Sequence, residues 1–229
     1  MSRIEWCDIT RNPVTGKCPM GCGYCYAERM RKRFKQPEIT AYHSDRLELP
    51  KAPCTVFWGS VYDLFAPTVD DSVLNEIFEF CTSRSACEHT HIFLTHTDNH
   101  ARMADYAMFG AEGKIYFGVS LNMAFGHDAD FVSLEPLTDA TDIYAPLCDV
   151  SCVIIGGLTG FGSPYKHLSL RTLAAHVEDA FAHDVRVFIK DNIIEYIPSL
   201  FPLAEKYGLA PEKSTFRRLP WSIRAGVHQ

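Results

Sequence analysis

The sequence predicts an α/β fold, a partial or irregular (β/α)6-type TIM-like barrel with parallel strands, in a single domain over residues 1–229. Short runs apolar on both faces alternate with helical stretches, the pattern of a parallel sheet covered by helices. Six or seven such units precede residue 191, and no repeat or linker divides the 229 residues. An α/β barrel forms one domain at roughly 200 to 250 residues.

The elements follow in order. Residues 4–10 form a weak strand, and residues 24–35 a helix rich in Arg, Lys, Met and Glu. A strand over 55–58 ends at Gly59-Ser60. Residues 71–83 form a helix that Asp70 or Asp71 can cap, with Val73, Ile77, Phe80 and Cys81 on one face. Residues 91–95 are a strand, and 99–109 a helix closed by Gly110. Strands follow at 115–121, at 130–135 before Pro136, and at 151–155 before Gly156-Gly157. A helix over 170–183 carries Leu173, Ala174, Val177 and Phe181 on one face, and 185–190 is the last strand. The link from Leu121 to Asp130 is too short for a full crossover helix, which predicts an open or irregular sheet there.

The composition is ordinary for a globular protein, 47% hydrophobic and 22% charged, which excludes disorder and collagen-like repeats. No apolar run approaches the roughly 18 residues of a membrane helix. Residues 1–6 lack the apolar core of a signal peptide, so the expected location is cytoplasmic. Against 28 acidic residues stand 22 Lys and Arg, a net charge of −6. That balance excludes a uniformly basic surface but allows a local basic patch. In parallel α/β folds the active site lies at the C-terminal strand ends. Here these carry Gly59-Ser60, Thr95-His96-Thr97, Ser120 and Asn122, Glu135, Gly156-Gly157 and Lys190-Asp191-Asn192.

Nine cysteines, an odd number, argue against a disulfide framework and towards metal or catalytic use. Cys18, Cys22 and Cys25 have the spacing C-x3-C-x2-C, between the first strand and the first helix. Three thiolates on one loop can hold one face of a cubane iron–sulfur cluster. No cysteine follows Cys25 until Cys54, so one iron stays open to a small molecule. Gly16, Gly21 and Gly23 let the loop fold tightly. Zinc and three metal-free buried thiols are the rival readings, although zinc ligands usually come as two separated pairs and the nearest histidine is His43. Cys81 reads as core; Cys7, Cys54, Cys87, Cys148 and Cys152 read as buried thiols, any one of which could donate a hydrogen atom to a product radical. His89, His91, His96 and His100 are close in sequence but fall on alternating elements, and are not assigned as a metal site.

With Tyr24 just before the third cysteine, this motif resembles the signature of the radical S-adenosylmethionine (radical SAM) superfamily. The text around it is similar to a phage-associated family of radical-SAM-like proteins of unknown substrate. The segments that carry this are Glu5-Trp6, Asn12-Pro13-Val14-Thr15-Gly16, Cys25-Tyr26-Ala27-Glu28-Arg29-Met30, Val61-Tyr62-Asp63-Leu64-Phe65, Gly118-Val119-Ser120, Phe131-Val132-Ser133-Leu134-Glu135-Pro136-Leu137 and Val153-Ile154-Ile155-Gly156-Gly157. The likeness spans residues 4–192, with departures between Leu121 and Asp130 and after Lys190.

The resemblance implies a [4Fe-4S] cluster on Cys18, Cys22 and Cys25, S-adenosyl-L-methionine at the open iron, an external electron donor, and a 5′-deoxyadenosyl radical that takes hydrogen from substrate. It implies that Tyr24 lies near the adenine, that Gly59, Ser60 and Asp63 meet the methionine amine, and that Ser120 and Asn122 meet the ribose or carboxylate. Asp63 reads equally as a turn cap. Glu135 needs a partner if buried, either a ligand hydroxyl or Lys190. Gly156 and Gly157 permit close approach of a ligand or form a tight turn. The run Arg29-Met30-Arg31-Lys32-Arg33-Phe34-Lys35 is a solvated helix face or, with Arg217, Arg218 and Arg224, a phosphate-binding patch for nucleic acid. Two other functions stay open: a non-catalytic nucleic-acid-binding protein stabilised by zinc or a cluster, and an iron–sulfur electron carrier or sensor.

Overall fold

A computed structural model describes residues 4–112, 114–120, 129–139, 150–158 and 168–221. Seven strands form one parallel sheet: β1 (Ile9–Arg11), β4 (Thr55–Trp58), β5 (Thr90–His96), β6 (Ile115–Ser120), β7 (Phe131–Leu134), β8 (Cys152–Ile155) and β9 (Arg186–Ile189). They lie side by side in chain order. A separate antiparallel pair, β2 (Val14–Thr15) and β3 (Ala41–Tyr42), holds α1 (Tyr26–Arg33) within the first crossover. Later crossovers carry α2 (Asp71–Thr82), α3 (His100–Ala104) and α4 (Leu170–Ala182), and α5 (Phe201–Lys206) follows the last strand.

Both faces of the sheet are apolar because alternate residues of each strand point to opposite sides. Val56 and Trp58, Phe93, Phe117, Val119, Val132, Val153 and Val187 face the outer layer, built largely of helices. Phe57, Ile92, Phe131, Cys152, Ile154 and Phe188 face the other side and gather around Trp6 and Trp221. This inner cluster measures the curl of the sheet. Trp6 precedes β1, yet its ring centroid is 6.3 Å from that of Phe131 on β7. In a flat sheet, strands four positions apart would be separated by about 19 Å. Further round, Glu5 Oε2 accepts from the Asp191 amide just past β9, at 2.8 Å, and from Arg217 Nη1 at 3.0 Å. Side chains thus bridge the two sheet edges. Among the described residues β1 and β9 do not pair, so no closed barrel is formed.

Several predicted elements shift. The first strand is Ile9–Arg11 rather than 4–10, because a turn closed by Cys7 N–H on the Ile4 carbonyl carries Trp6 into the inner cluster. Helix α1 starts at Tyr26, with Cys25 at its N-cap. The buried face of α2 is Leu74, Ile77, Phe78 and Cys81; Val73 and Phe80 flank it half-buried, and Asp70 is the N-cap without a side-chain bond. The third helix ends at Ala104 and gives way to 3-10 turns over Ala107–Glu112, so Gly110 is not its C-cap. The tighter pitch eclipses residues three apart. It suits Tyr106 and Phe109, which both stack on Phe78 with centroids 4.9 and 5.0 Å away. The sheet is regular where irregularity was expected: β6 and β7 pair in parallel from Gly118↔Phe131 to Ser120↔Ser133. Their link over 121–128 lies outside the described residues. Helix α4 holds to expectation, with Ser169 Oγ capping the Thr172 amide.

Candidate active site

The loop before α1 brings the three clustered cysteines to one place. Gly16 and Gly21 take φ of 125° and 62°, where side chains are strained, whereas a Cβ on Gly23 would meet nothing within 4 Å. The Cys25 amide bonds to the Cys22 carbonyl at 3.0 Å. Cys18, Cys22 and Cys25 all line one cavity of about 290 Å³ at the C-terminal edge of the sheet. Burial pushes the Cys18 thiol up, opposed by the backbone N–H groups of Asp63 and Met20. Burial also raises Cys22, with neighbouring Cys25 adding to the shift and the Tyr24 hydroxyl opposing it. Tyr24 is itself pushed up to about 12 by burial and by Cys22. Tyr24 lines the same cavity. Among the described residues no group of three or more His, Cys, Asp or Glu side chains is gathered tightly enough to hold a metal ion.

At the end of β4, Gly59 turns the chain with φ of 79°, and a Cβ there would stand 2.8 Å from the Tyr62 carbonyl oxygen. The Gly59 carbonyl accepts from the Tyr62 amide, and the Ser60 carbonyl from the Tyr26 hydroxyl at 2.5 Å. Each carbonyl expected to meet an ammonium thus already holds one donor. Ser60 Oγ is fixed on Asn12 Oδ1 at 3.1 Å.

Asp63 faces the cavity beside Cys18, but its carboxylate is turned to the protein. It accepts from the Phe65 amide at 3.0 Å, Thr95 Oγ1 at 2.9 Å, the His96 amide at 2.8 Å and Asn99 Nδ2 at 2.9 Å. Asn99 Nδ2 also reaches Met20 Sδ in the cysteine loop, at 3.1 Å. The turn-cap reading of Asp63 holds in extended form: it ties the end of β4 to the end of β5 and, through Asn99, to the cysteine loop. Burial raises its pKa, against the hydrogen bonds that favour the carboxylate.

Glu135, Lys190, Gly157 and Asn192 line another part of the wall. Glu135 meets Lys190 Nζ at 2.5 Å and accepts from Ser133 Oγ at 3.0 Å, so its partner is the lysine. Gly156 makes room for this pair: a Cβ would come 2.8 Å from Glu135 Oε1 and 2.9 Å from Lys190 Cδ. Gly157 exchanges hydrogen bonds with the Asn192 side chain, and its Cβ would stand 2.6 Å from Ile193 Cγ2. Neither glycine has positive φ, so close packing, not a tight turn, accounts for both. Ser120 lines the cavity; Asn122 lies outside the described residues.

The remaining cysteines stand apart from the cavity. Cys81 is core as expected, and Cys152, pushed up to about 12 by burial, points its thiol at the Arg218 carbonyl. Cys54 meets His89 Nδ1 at 3.3 Å, Cys7 is half-buried, Cys87 is exposed rather than buried, and Cys148 lies outside the described residues. None of the five described thiols lines the cavity as a hydrogen-atom donor must. His91 is a core residue, accepting from Trp58 Nε1 at 3.0 Å with its other nitrogen on the Ala86 carbonyl.

The basic run is not one patch. Arg31 is 7% exposed and forms a fork on Glu28 at 2.7 and 2.9 Å, reaching Glu38 at 2.9 Å. Lys32 also pairs with Glu28, whose carboxyl these cations hold down at about 2. Arg217 is engaged by Glu5 and Asp191 at the sheet edges, and Arg224 lies outside the described residues. Sequence reasoning placed Thr95 at a strand end but missed other groups around the cavity: Trp6 and Phe57 in its wall and Ser133 beside Glu135, and Asn99, which reaches Asp63. Strand alternation marks Phe57 and Ser133 as sharing a face with the strand ends, but which face is inside depends on the curl.

Comparison with known proteins finds no match among curated proteins and none among solved structures. A family model described as a protein of unknown function, DUF5131, matches residues 1–191 and so covers the sheet and every described residue of the cavity wall except Asn192. The chain belongs to the DUF5131 family.

Proposed function

We propose that this protein is a radical SAM enzyme, with Cys18, Cys22 and Cys25 as ligands of a [4Fe-4S] cluster. The observation that carries the reading is that three thiols from one loop line a single cavity at the C-terminal edge of the sheet, with no fourth described cysteine in its wall. The donor set fits. Thiolates are the ligands of iron–sulfur clusters. Each cubane corner takes its own thiolate, and three thiols on one short loop suit that better than zinc, whose ligands usually come as two separated pairs. Held by Cys18, Cys22 and Cys25, such a cluster would supply the electron for reductive cleavage of a C–S bond of S-adenosylmethionine.

The protein's own groups hold, orient and shield. Asp63 and Asn99 fix the cysteine loop against β5, and Tyr24 lines the cavity beside the cysteines. Trp6, Phe57 and Leu94 give the cavity an apolar wall that excludes water, the protection a radical needs. Ser120 offers a hydroxyl to the cofactor's ribose or carboxylate, and Glu135 with Lys190 offers paired charges to polar groups of cofactor or substrate. The curled sheet with strands in chain order supports the finer reading of the fold as a partial TIM-like barrel.

Anaerobic reconstitution tests the proposal. About four irons and four sulfides per chain, and 5′-deoxyadenosine on addition of S-adenosylmethionine and dithionite, are expected, both abolished by the triple substitution Cys18→Ala, Cys22→Ala, Cys25→Ala. A colourless protein with one zinc points to the non-catalytic nucleic-acid-binding alternative and overturns it. A cluster that never cleaves S-adenosylmethionine overturns it in favour of an electron carrier or sensor.

A further inference from the structure

Helix α1 turns an apolar stripe outward. Tyr26 and Met30 are 44% exposed, Phe34 60% and nearby Ile39 82%. Positions i, i+4 and i+8 share one helix face, and Tyr26 to Phe34 spans about 12 Å. Cations flank the stripe. The Arg33 guanidinium lies over the Phe34 ring at 5.5 Å from its centroid, and Lys35 is exposed. These charges differ from Arg31 and Lys32, which Glu28 and Glu38 neutralise. On a chain of net charge −6 this is a local positive strip with aromatic faces.

The strip is continuous with the cavity. Tyr26 belongs to both, Ala27 and Arg29 of the same helix also line the cavity, and the bond from the Tyr26 hydroxyl to the Ser60 carbonyl fixes that ring at the rim. The ligand that fits is anionic along its length, carries flat groups, and has a unit that can leave the chain to enter a cavity. An acidic protein face matches the charge but leaves the adjoining opening unused. We propose that the outer face of α1 is a docking track for single-stranded nucleic acid, with bases stacked on Tyr26 and Phe34, phosphates near Arg33 and Lys35, and one nucleotide directed into the cavity. This rests on the cavity being the reaction site and names the substrate class. Base stacking on aromatic side chains is sequence-tolerant, and chemistry on a base requires it to be taken out of the strand.

The test is fluorescence anisotropy of the full chain with labelled 20-nucleotide oligothymidylate and oligouridylate, across a salt series. Binding of either supports the proposal when Phe34→Ala weakens it about 5-fold or more, the lower bound for one stacked base. Arg33→Glu with Lys35→Glu should lower the salt slope by about 1.4, since each single-strand phosphate contact contributes about 0.7. All three side chains are exposed, and unchanged melting shows that the variants fold. Binding that ignores these variants, or poly-L-glutamate bound as tightly and losing as much with Phe34→Ala, overturns the proposal. Release of 5′-deoxyadenosine without oligonucleotide, measured on the same preparations, reports separately on the proposed enzyme: its presence with no oligonucleotide binding sinks the docking track alone.

Discussion

Asp63→Ala removes the group that joins two strand ends to the cysteine loop. The carboxylate accepts from four donors, at 2.8 to 3.0 Å: the Phe65 and His96 amides, Thr95 Oγ1 and Asn99 Nδ2. Thr95 is 1% exposed and Asn99 6%, so water replaces the carboxylate poorly at two of the four. A hydrogen bond to a charged acceptor is worth about 1.5–3 kcal/mol net, and a buried donor left alone costs about 1–3 kcal/mol. Relief of the carboxylate's own burial offsets part of the sum, leaving an expected loss of roughly 3–5 kcal/mol. Against a total stability of about 5–15 kcal/mol that is a large fraction. Asp63→Asn keeps the shape but turns an amide against part of the donor set, and should lie between. Urea denaturation of the metal-free protein measures both, and a double-mutant cycle with Asn99→Leu should give a coupling of at least about 1 kcal/mol. The reasoning fails if Asp63→Ala loses less than about 1 kcal/mol, or if the two substitutions are additive.

Burial holds His91 down at about 4 from its ordinary 6.5. Its contribution is complete above pH 6.5 and is lost as pH falls through 6.5 towards 4, where the unfolded chain binds a proton that the folded one refuses; it amounts to roughly 3 kcal/mol. His91→Gln should therefore flatten the pH dependence of stability in that window, and an unchanged slope refutes the assignment. Lys190→Met strands Glu135, with an expected loss of about 1–2 kcal/mol after allowing for partial exposure of the pair. Gly156→Ala should displace the same pair and cost less in a Glu135→Ala background; equal melting shifts in the two backgrounds would show that the pair does not set the need for glycine. Arg31→Ala should lower the melting temperature more than Arg33→Ala, because Arg31 is locked between Glu28 and Glu38 while Arg33 is exposed, and equal shifts count against this division of the basic run.

Legibility followed the range of the forces involved. Six strands and the helices α2 and α4 were readable to within a residue or two because apolar alternation and helical spacing act over a few neighbours. The first strand was misread because Trp6 answers to Phe57, Phe131 and Trp221, partners supplied by distant parts of the chain. Arg31 and Arg33 look alike in a basic run and part company only when Glu38, seven residues beyond Arg31, folds back onto one of them. Glu135 could have faced a ligand hydroxyl or Lys190, and the approach of β7 and β9 over Gly156 decided for the lysine.

By itself the sequence determined the parallel alternation of strands and helices and the spacing of three thiols on one loop, since both depend on residues near one another along the chain. Only the tertiary structure decided which strand face is inside and that the cysteine loop, the Asp63 anchors and the Glu135–Lys190 pair border one cavity. Those relations come from the curl of a seven-stranded sheet, a sum of small twists and distant side-chain contacts that no local stretch of sequence carries.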